Sequence, residues 1–432
     1  MNAPAVPIRR IALASFTGTT IEFYDFFIYG TAAALVFPTV FFPALGPATG
    51  AVASFATFAV AFLARPLGSL LFGHLGDRIG RKSTLVATLL LMGLSTFGIG
   101  LLPGSDVLGV AAPVVLVVLR LLQGVGLGGE WAGAALLAAE YAPPGQRGRY
   151  AMFPQFGPGI AFGLASVTFL VTGLTMDDAA FLSWGWRVPF LLSIALVGVG
   201  LYIRLRIEET PVFRADLERR RPERAPVLEV FRHQTREILL AGGSLTALFG
   251  LFYTGTVYLT GYGTTVLGQS RTTMLLLGVL AAVAFAVVTA ASAVLSDRWG
   301  RRRLLLAGNA AALVWGLLLF PVVDTADPVL IGTGLAVTLA VVALCYGPAG
   351  AYLPELFATR YRYTGAGVGY ALAGILGGAV PPLLAASLQA SYGSTAIGLF
   401  LSALGLLSLL CTLALRETAT SDALDDRHPV AR

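Results

Sequence analysis

Apolar residues run through this chain in blocks of about twenty, the length at which a helix crosses a hydrocarbon core. About twelve such blocks follow one another, at 11–37, 50–73, 83–102, 111–139, 150–173, 187–205, 238–262, 272–295, 304–323, 328–352, 364–388 and 395–416. Short polar turns separate them, with one exception. Residues 206–237, which include "ADLERRRPERAP", form the long polar stretch that divides the chain six and six. The pattern predicts an all-α integral membrane protein of twelve transmembrane helices: a six-helix bundle over 1–205, a cytoplasmic linker over 206–237, and a second six-helix bundle with a tail over 238–432.

The two halves repeat each other. "LGDRIGRKSTL" at 75–85 matches "LSDRWGRRRLL" at 295–305, each after the second helix of its half. After each fourth helix, Glu140 and Arg147 share the spacing of Glu355 and Arg362. Parallel six-helix repeats are the signature of a transporter with its site between the halves. Orientation follows from Lys and Arg, which are enriched in short cytoplasmic loops. With the N-terminus inside, the outer loops hold only Arg187 and Arg271. Both termini are therefore expected in the cytoplasm, with the chain in the cell inner membrane.

Composition narrows the function. The residues are 56% apolar and 12% charged, and the mean hydropathy is +0.79; soluble domains carry about a quarter charged residues. The net charge of +6 falls in short loops and not on one soluble face, so the lipid surface and not nucleic acid is the expected partner. Cys345 and Cys411 lie in apolar runs without metal or disulfide spacing, and read as small core residues. The first apolar run lacks a cleavage site and is expected to be retained as a helix. There is no His/Asp metal cluster, no nucleophile with a paired base and no soluble domain to hold a site, which argues against an enzyme, a cofactor or a bound metal. No obligate protein partner is evident.

The chemistry sits inside the membrane. In "IEFYDFFIY" (21–29), Glu22, Asp25 and Tyr29 fall at i, i+3 and i+7 and share one helix face. Asp25 lies about 21 Å along a helix entered at Ile11, near mid-bilayer. A carboxylate there costs about 2.5 to 3.5 kcal/mol to insert, so it should face a cavity or a partner. Desolvation and nearby cations act in opposite directions on such a group, which suits it to taking up and releasing a proton. The fourth run supplies the counter-charge: Arg120, Gln123, Leu127 and Glu130 lie at i, i+3, i+7 and i+10, with Arg120 toward the outer side and Glu130 toward the inner. Arg120 can grip a carboxylate of a substrate, or one of the protein in its absence. Glu22, Asp25, Arg120 and Glu130 are the expected proton-coupling set. The glycines Gly124, Gly126, Gly128, Gly129 and Gly133 read as close helix packing and not as a phosphate cradle. The second half offers hydroxyls instead of charges, among them Tyr253, Tyr258 and Tyr346. With Tyr29, Gln123, Trp131, Gln155 and Arg120 these are the candidate substrate contacts.

These residues resemble a known family. "GHLGDRIGRK" (73–82) and "RLLQGVG" (120–126) are similar to loop and fourth-helix motifs of the major facilitator superfamily. "IEFYDFFIYG", "FLARPLGSLLFGHLGDRIGRK", "RLLQGVGLGGEWAGAALLAAE", "SWGWRVPF", "RIEETPVF" and "YRYTGAGVGY" are similar to its metabolite:H⁺ symporter branch. The resemblance implies proton-coupled import of a small organic anion or zwitterion, such as shikimate or a dicarboxylate, by alternating access. It also implies a cytoplasmic gate in which Asp77, Arg78, Arg81, Asp297, Arg298 and Arg301 meet Glu140, Arg147, Glu355 and Arg362, with Arg65 at its edge. One departure points toward an exporting antiporter: Gly157-Pro158 in the fifth run is similar to the glycine-proline motif of that class.

Overall fold

The structure, a computed structural model, describes residues 8–79, 81–128, 142, 145–206, 231–358 and 362–419; the side chains at 73–79 and 81–83 are not among those described. No strand occurs among the described residues. Among the described residues, twelve long helical segments form the bundle. They are α1 (Ile8–Leu35), α2 (Gly46–Ile79), α3 (Arg81–Leu101), α4 (Ala111–Leu127), α5 (Arg147–Thr175) and α6 (Arg187–Arg206) in the first half. In the second are α7 (Thr235–Thr265), α8 (Arg271–Trp299), α9 (Arg301–Val323), α10 (Pro328–Leu356), α11 (Arg362–Ala373 continuing through a π-helical turn into Val380–Tyr392) and α12 (Ser394–Ala414).

Eight of these are long and apolar enough to cross a membrane, and α6 makes a ninth with the segment Asp178–Gly185, bent by 42°. The apolar parts of α3 and α4 are shorter, and α1 is diluted by its own polar stripe. The ends follow local chemistry. The side chain of Asp327 accepts from the N–H groups of Val329 and Leu330 to start α10, with Pro328 in the first turn, where its missing N–H costs nothing. Gly300, at φ +99°, turns α8 into α9 within one residue, a backbone region that favours glycine.

The halves pack by one plan. In the first, α1 lies on α5, α2 on α4 and α3 on α6; in the second, α7 on α11, α8 on α10 and α9 on α12. The seam between halves is made chiefly by α5 on α8 and α2 on α11, which the same plan relates. Polarity is inverted relative to a soluble protein. Leu276, Leu280, Val283 and Val287 of α8 are exposed, the face expected against lipid. Glu22, Asp25, Arg65, Arg120, Gln123 and Gln155 are buried.

The α4 glycines pack as their spacing predicts. A Cβ on Gly124 would lie 2.5 Å from the carbonyl oxygen of Ala61 in α2, and one on Gly126 would lie 3.1 Å from that of Thr88 in α3. Small residues let α4 approach both neighbours at backbone distance. Gly157 does the same for α5, since a Cβ there would meet Thr19 of α1 at 2.7 Å.

Candidate functional site

Asp25 of α1 is fully buried, and its surroundings explain how it is held. Its Oδ2 accepts a hydrogen bond from Thr96 Oγ1 of α3 at 3.0 Å. Thr96 Oγ1 in turn accepts from Gln123 Nε2 of α4 at 2.7 Å, and Gln123 Oε1 accepts from Arg120 Nη1 one turn earlier. A chain of four side chains therefore runs from carboxylate to guanidinium. The Thr96 hydroxyl also stands 2.9 Å from the carbonyl of Met92, and its single proton can serve only one acceptor at a time. When Asp25 is ionised, Thr96 donates to it. When Asp25 carries a proton, Thr96 can turn to Met92 and accept from the acid. The other carboxylate oxygen, Oδ1, is buried without a hydrogen-bond partner.

Arg120 lies in a cage of rings: its guanidinium carbon is 3.9 Å from the centroid of Tyr29, 4.4 Å from Phe26 and 5.0 Å from Phe58. Aromatic faces attract a cation that has lost its water. Its Nη2 reaches the Phe58 carbonyl at 3.5 Å, its Nε is buried without a partner, and it forms no ion pair with a carboxylate among the described residues. Arg120 and Asp25 are linked indirectly: α3 inserts Thr96 between α1 and α4, and Gln123 fills the remaining gap. Tyr29 donates to Thr57 at 2.7 Å and, with Gln123, supports Arg120 without lining a cavity.

Arg65 lies about 10 Å along α2 from Phe72, where the apolar span Pro43–Phe72 ends. Its guanidinium carbon is 4.6 Å from the Phe62 ring and 5.1 Å from that of Phe26. It lines a small cavity with Glu22, Phe23, Gly128, Gly367 and Tyr370. A second small cavity, apolar, lies between Phe23, Phe252, Phe285, Tyr346 and Tyr370. Residues of both halves line each cavity. Tyr253 packs its ring on Phe26, Phe58 and Phe62 with centroids 5.1 to 5.6 Å apart. Tyr346 and Tyr370 share a 3.4 Å hydroxyl contact. Gln155 crosses the seam to donate to the Tyr346 carbonyl at 2.7 Å. Tyr258 stands apart from both cavities. Its hydroxyl is 3.5 Å from the Ala385 carbonyl and its ring stacks on Tyr262, which donates to Asp324 at 2.6 Å.

At the end of the bundle where α8 turns into α9, the second-half loop motif is closed. Asp297 accepts from the backbone N–H groups of Gly148 at 2.8 Å and Arg149 at 2.9 Å, capping α5 across the seam. Arg301 pairs with Asp297 at 3.1 Å and with Glu355 through two bonds, Nε to Oε2 at 2.6 Å and Nη2 to Oε1 at 3.0 Å. Arg362 donates from Nε to the Pro354 carbonyl at 3.1 Å, while Arg298 is exposed and Arg147 half-buried. Two residues that sequence patterns leave unmarked complete the cluster. Glu417 accepts from the N–H groups of Arg301 and Arg302, and Thr418 donates to Glu355 at 2.6 Å. Glu130, Trp131 and Glu140, and the side chains of Asp77, Arg78 and Arg81, lie outside the described residues. Thr96 also escapes a sequence reading, because a threonine in an apolar helix ordinarily bonds its own backbone.

A family model, Major Facilitator Superfamily, matches residues 15–369. The chain belongs to this superfamily. Among curated proteins it is 44% identical over 415 residues to the inner membrane metabolite transport protein YhjE of Escherichia coli, covering 95% of this chain and 94% of that one. It is 37% identical over 419 residues to the shikimate transporter of Escherichia coli, covering 95% of each. The proline/betaine transporter of the same organism is 32% identical over 422 residues, covering 95% of this chain and 84% of the relative. Among solved structures, a D-xylose-proton symporter superposes with a TM-score of 0.75 at 19% identity, over 96% of this chain and 99% of that one, which establishes the shared fold. The protein is a multi-pass membrane transporter of the metabolite-carrying kind, and its relatives are transporters, not enzymes.

Proposed function

We propose that the protein is a proton-coupled symporter that imports a small organic anion or zwitterion by alternating access, with both termini in the cytoplasm. The observation that carries this reading is the buried chain Asp25–Thr96–Gln123–Arg120. A carboxylate with one free oxygen is joined through two neutral side chains to a cation that lacks a carboxylate partner among the described residues. Protonation of Asp25 reverses the Thr96 hydroxyl, and the change reaches Arg120 through Gln123. Adding a proton to Asp25 leaves the centre of the first half with an additional positive charge, which an anionic cargo offsets. Proton and cargo are then favoured together. The named cargoes of the relatives, shikimate and the zwitterions proline and betaine, all carry a carboxylate, which sets the class proposed here.

In this scheme the cluster of Asp297, Arg301, Glu355 and Arg362 closes the cytoplasmic side, and its opening releases the cargo inward. Asp25→Asn provides the test in proteoliposomes. The variant should lose uptake driven by an inward proton gradient and keep counterflow exchange of the same compound. Acid-driven accumulation that survives the change would refute the proton role.

A further inference from the structure

Among the described residues, the hydrogen-bond and ring partners of Arg120, Phe26, Tyr29, Phe58 and Gln123, belong to α1, α2 or α4 of its own half. Rocking the halves apart does not uncover it. Arg65 is placed differently. It is 5% exposed, and the glycine face of α11 passes over it: a Cβ on Gly374 would lie 3.4 Å from Phe62 and 3.6 Å from Arg65 Nη1, and one on Gly378 would strike the Phe62 ring. The cavity it lines is bounded on the other side by Gly367 and Tyr370 of α11. Parting the seam therefore exposes Arg65 first.

The groups around this cavity include the Glu22 carboxylate and several donors that lack an acceptor. Arg65 Nε, Arg65 Nη2, Arg120 Nε and the Tyr253 hydroxyl are all buried donors that lack an acceptor. Tyr253 lies beside the Arg65 guanidinium and shares the Phe26 and Phe62 rings with it. Buried donors left unsatisfied are costly, about 1 to 3 kcal/mol each. A ligand that satisfies them must bring acceptors, and a planar fork of N–H groups matches the two oxygens of a carboxylate.

We propose that Arg65, with the Tyr253 hydroxyl as its second donor, grips the carboxylate of the transported compound at the seam, while Arg120 stays behind it as the coupling cation. The inference rests on the carrier reading above and names the residue that selects its cargo. Glycines at 374 and 378 let α11 pass close over Phe62 and Arg65, so the space a carboxylate needs opens only as the seam parts.

Binding separates this inference from proton coupling. The purified protein in detergent is titrated with shikimate, succinate, benzoate and glycine betaine, and thermal stabilisation is read for wild type, Arg65→Lys, Arg65→Gln and Tyr253→Phe. At least one of these compounds should stabilise wild type, and the methyl ester of the best acid should bind at least tenfold more weakly. Arg65→Lys should weaken the acid at least tenfold, Arg65→Gln should bind acid and ester equally, and Tyr253→Phe should cost three- to tenfold. Tyr253→Phe keeps the packed ring, so it decides the matter if the arginine variants do not fold. Wild-type affinity in Arg65→Gln or in Tyr253→Phe, or no stabilisation of wild type by any of the four, overturns the proposal. Arg65-dependent binding without gradient-driven uptake would instead refute symport and leave the carboxylate site standing.

Discussion

Asp25 and Arg120 face each other from α1 and α4 without touching; Thr96 and Gln123 stand between them. Breaking a buried ion pair by removing one partner costs about 3 to 5 kcal/mol, and a direct pair would resist rearrangement accordingly. Two neutral side chains transmit the state of the carboxylate more gently, because a hydroxyl can exchange its donor and acceptor roles. Thr96→Val keeps the shape and removes the exchange. It should lower thermal stability by about 1 to 3 kcal/mol, the cost of a buried group left unsatisfied, and reduce gradient-driven uptake at least tenfold. Thr96→Ser should retain most of both, as measured by unfolding in detergent and uptake in proteoliposomes.

Arg301 and Glu355 form a buried, doubly bonded pair. Glu355→Gln leaves Asp297, at 3.1 Å, as the carboxylate paired with the guanidinium. The expected loss is about 3 kcal/mol, the low end for breaking such a pair. Thermal unfolding of the single variant against Arg301→Gln/Glu355→Gln checks this: the double variant should be less destabilised than the sum of the two single changes.

The Glu417 carboxylate caps the start of α9 through two backbone N–H groups. Glu417→Ala should cost about 0.5 to 2 kcal/mol, as cap removals do. Hydrogen exchange localises the effect, with faster exchange expected at the amides of Arg301 and Arg302 and little change in α3.

Gly124 and Gly98 make a matched contrast. A Cβ at 124 would press on backbone atoms of Ala61 at 2.5 and 2.7 Å, whereas one at 98 would meet only Leu119 side-chain carbons at 3.4 and 3.6 Å. Gly124→Ala should destabilise by about 1 to 3 kcal/mol through overpacking; Gly98→Ala should be neutral. The yield of monodisperse protein and the melting temperature distinguish them.

Orientation is open to a labelling test. With Cys345 and Cys411 replaced by alanine, a membrane-impermeant maleimide on intact cells should label Val107→Cys, exposed in the turn before α4, and spare Arg298→Cys, exposed at the end of α8. The reverse pattern would invert the proposed topology.

Much of this architecture can be read along the chain because hydrocarbon imposes a strict length on every apolar run. The helix α10 spans Pro328–Leu356 where the run is 328–352, and α9 ends at Val323 with its run. Charged residues in α1 announce themselves for the same reason: Asp25 is costly in lipid and must be enclosed. What a one-dimensional pattern lacks is the neighbour. The spacing of Arg120 and Gln123 puts them on one face but does not show α3 entering between that face and Asp25. Thr418 and Glu417 carry no signal of their own, since their partners lie on other helices.

The hold of Asp297 on α5 is made to main-chain N–H groups of Gly148 and Arg149, not to their side chains. Every amino acid but proline presents that same donor. Variation at 149 would therefore leave this tether intact, whereas a Cβ at Gly148 would stand 2.5 Å from the Ala293 carbonyl oxygen and 2.9 Å from Asp297 Oδ1. Loosening it by design can start from position 297 or from position 148.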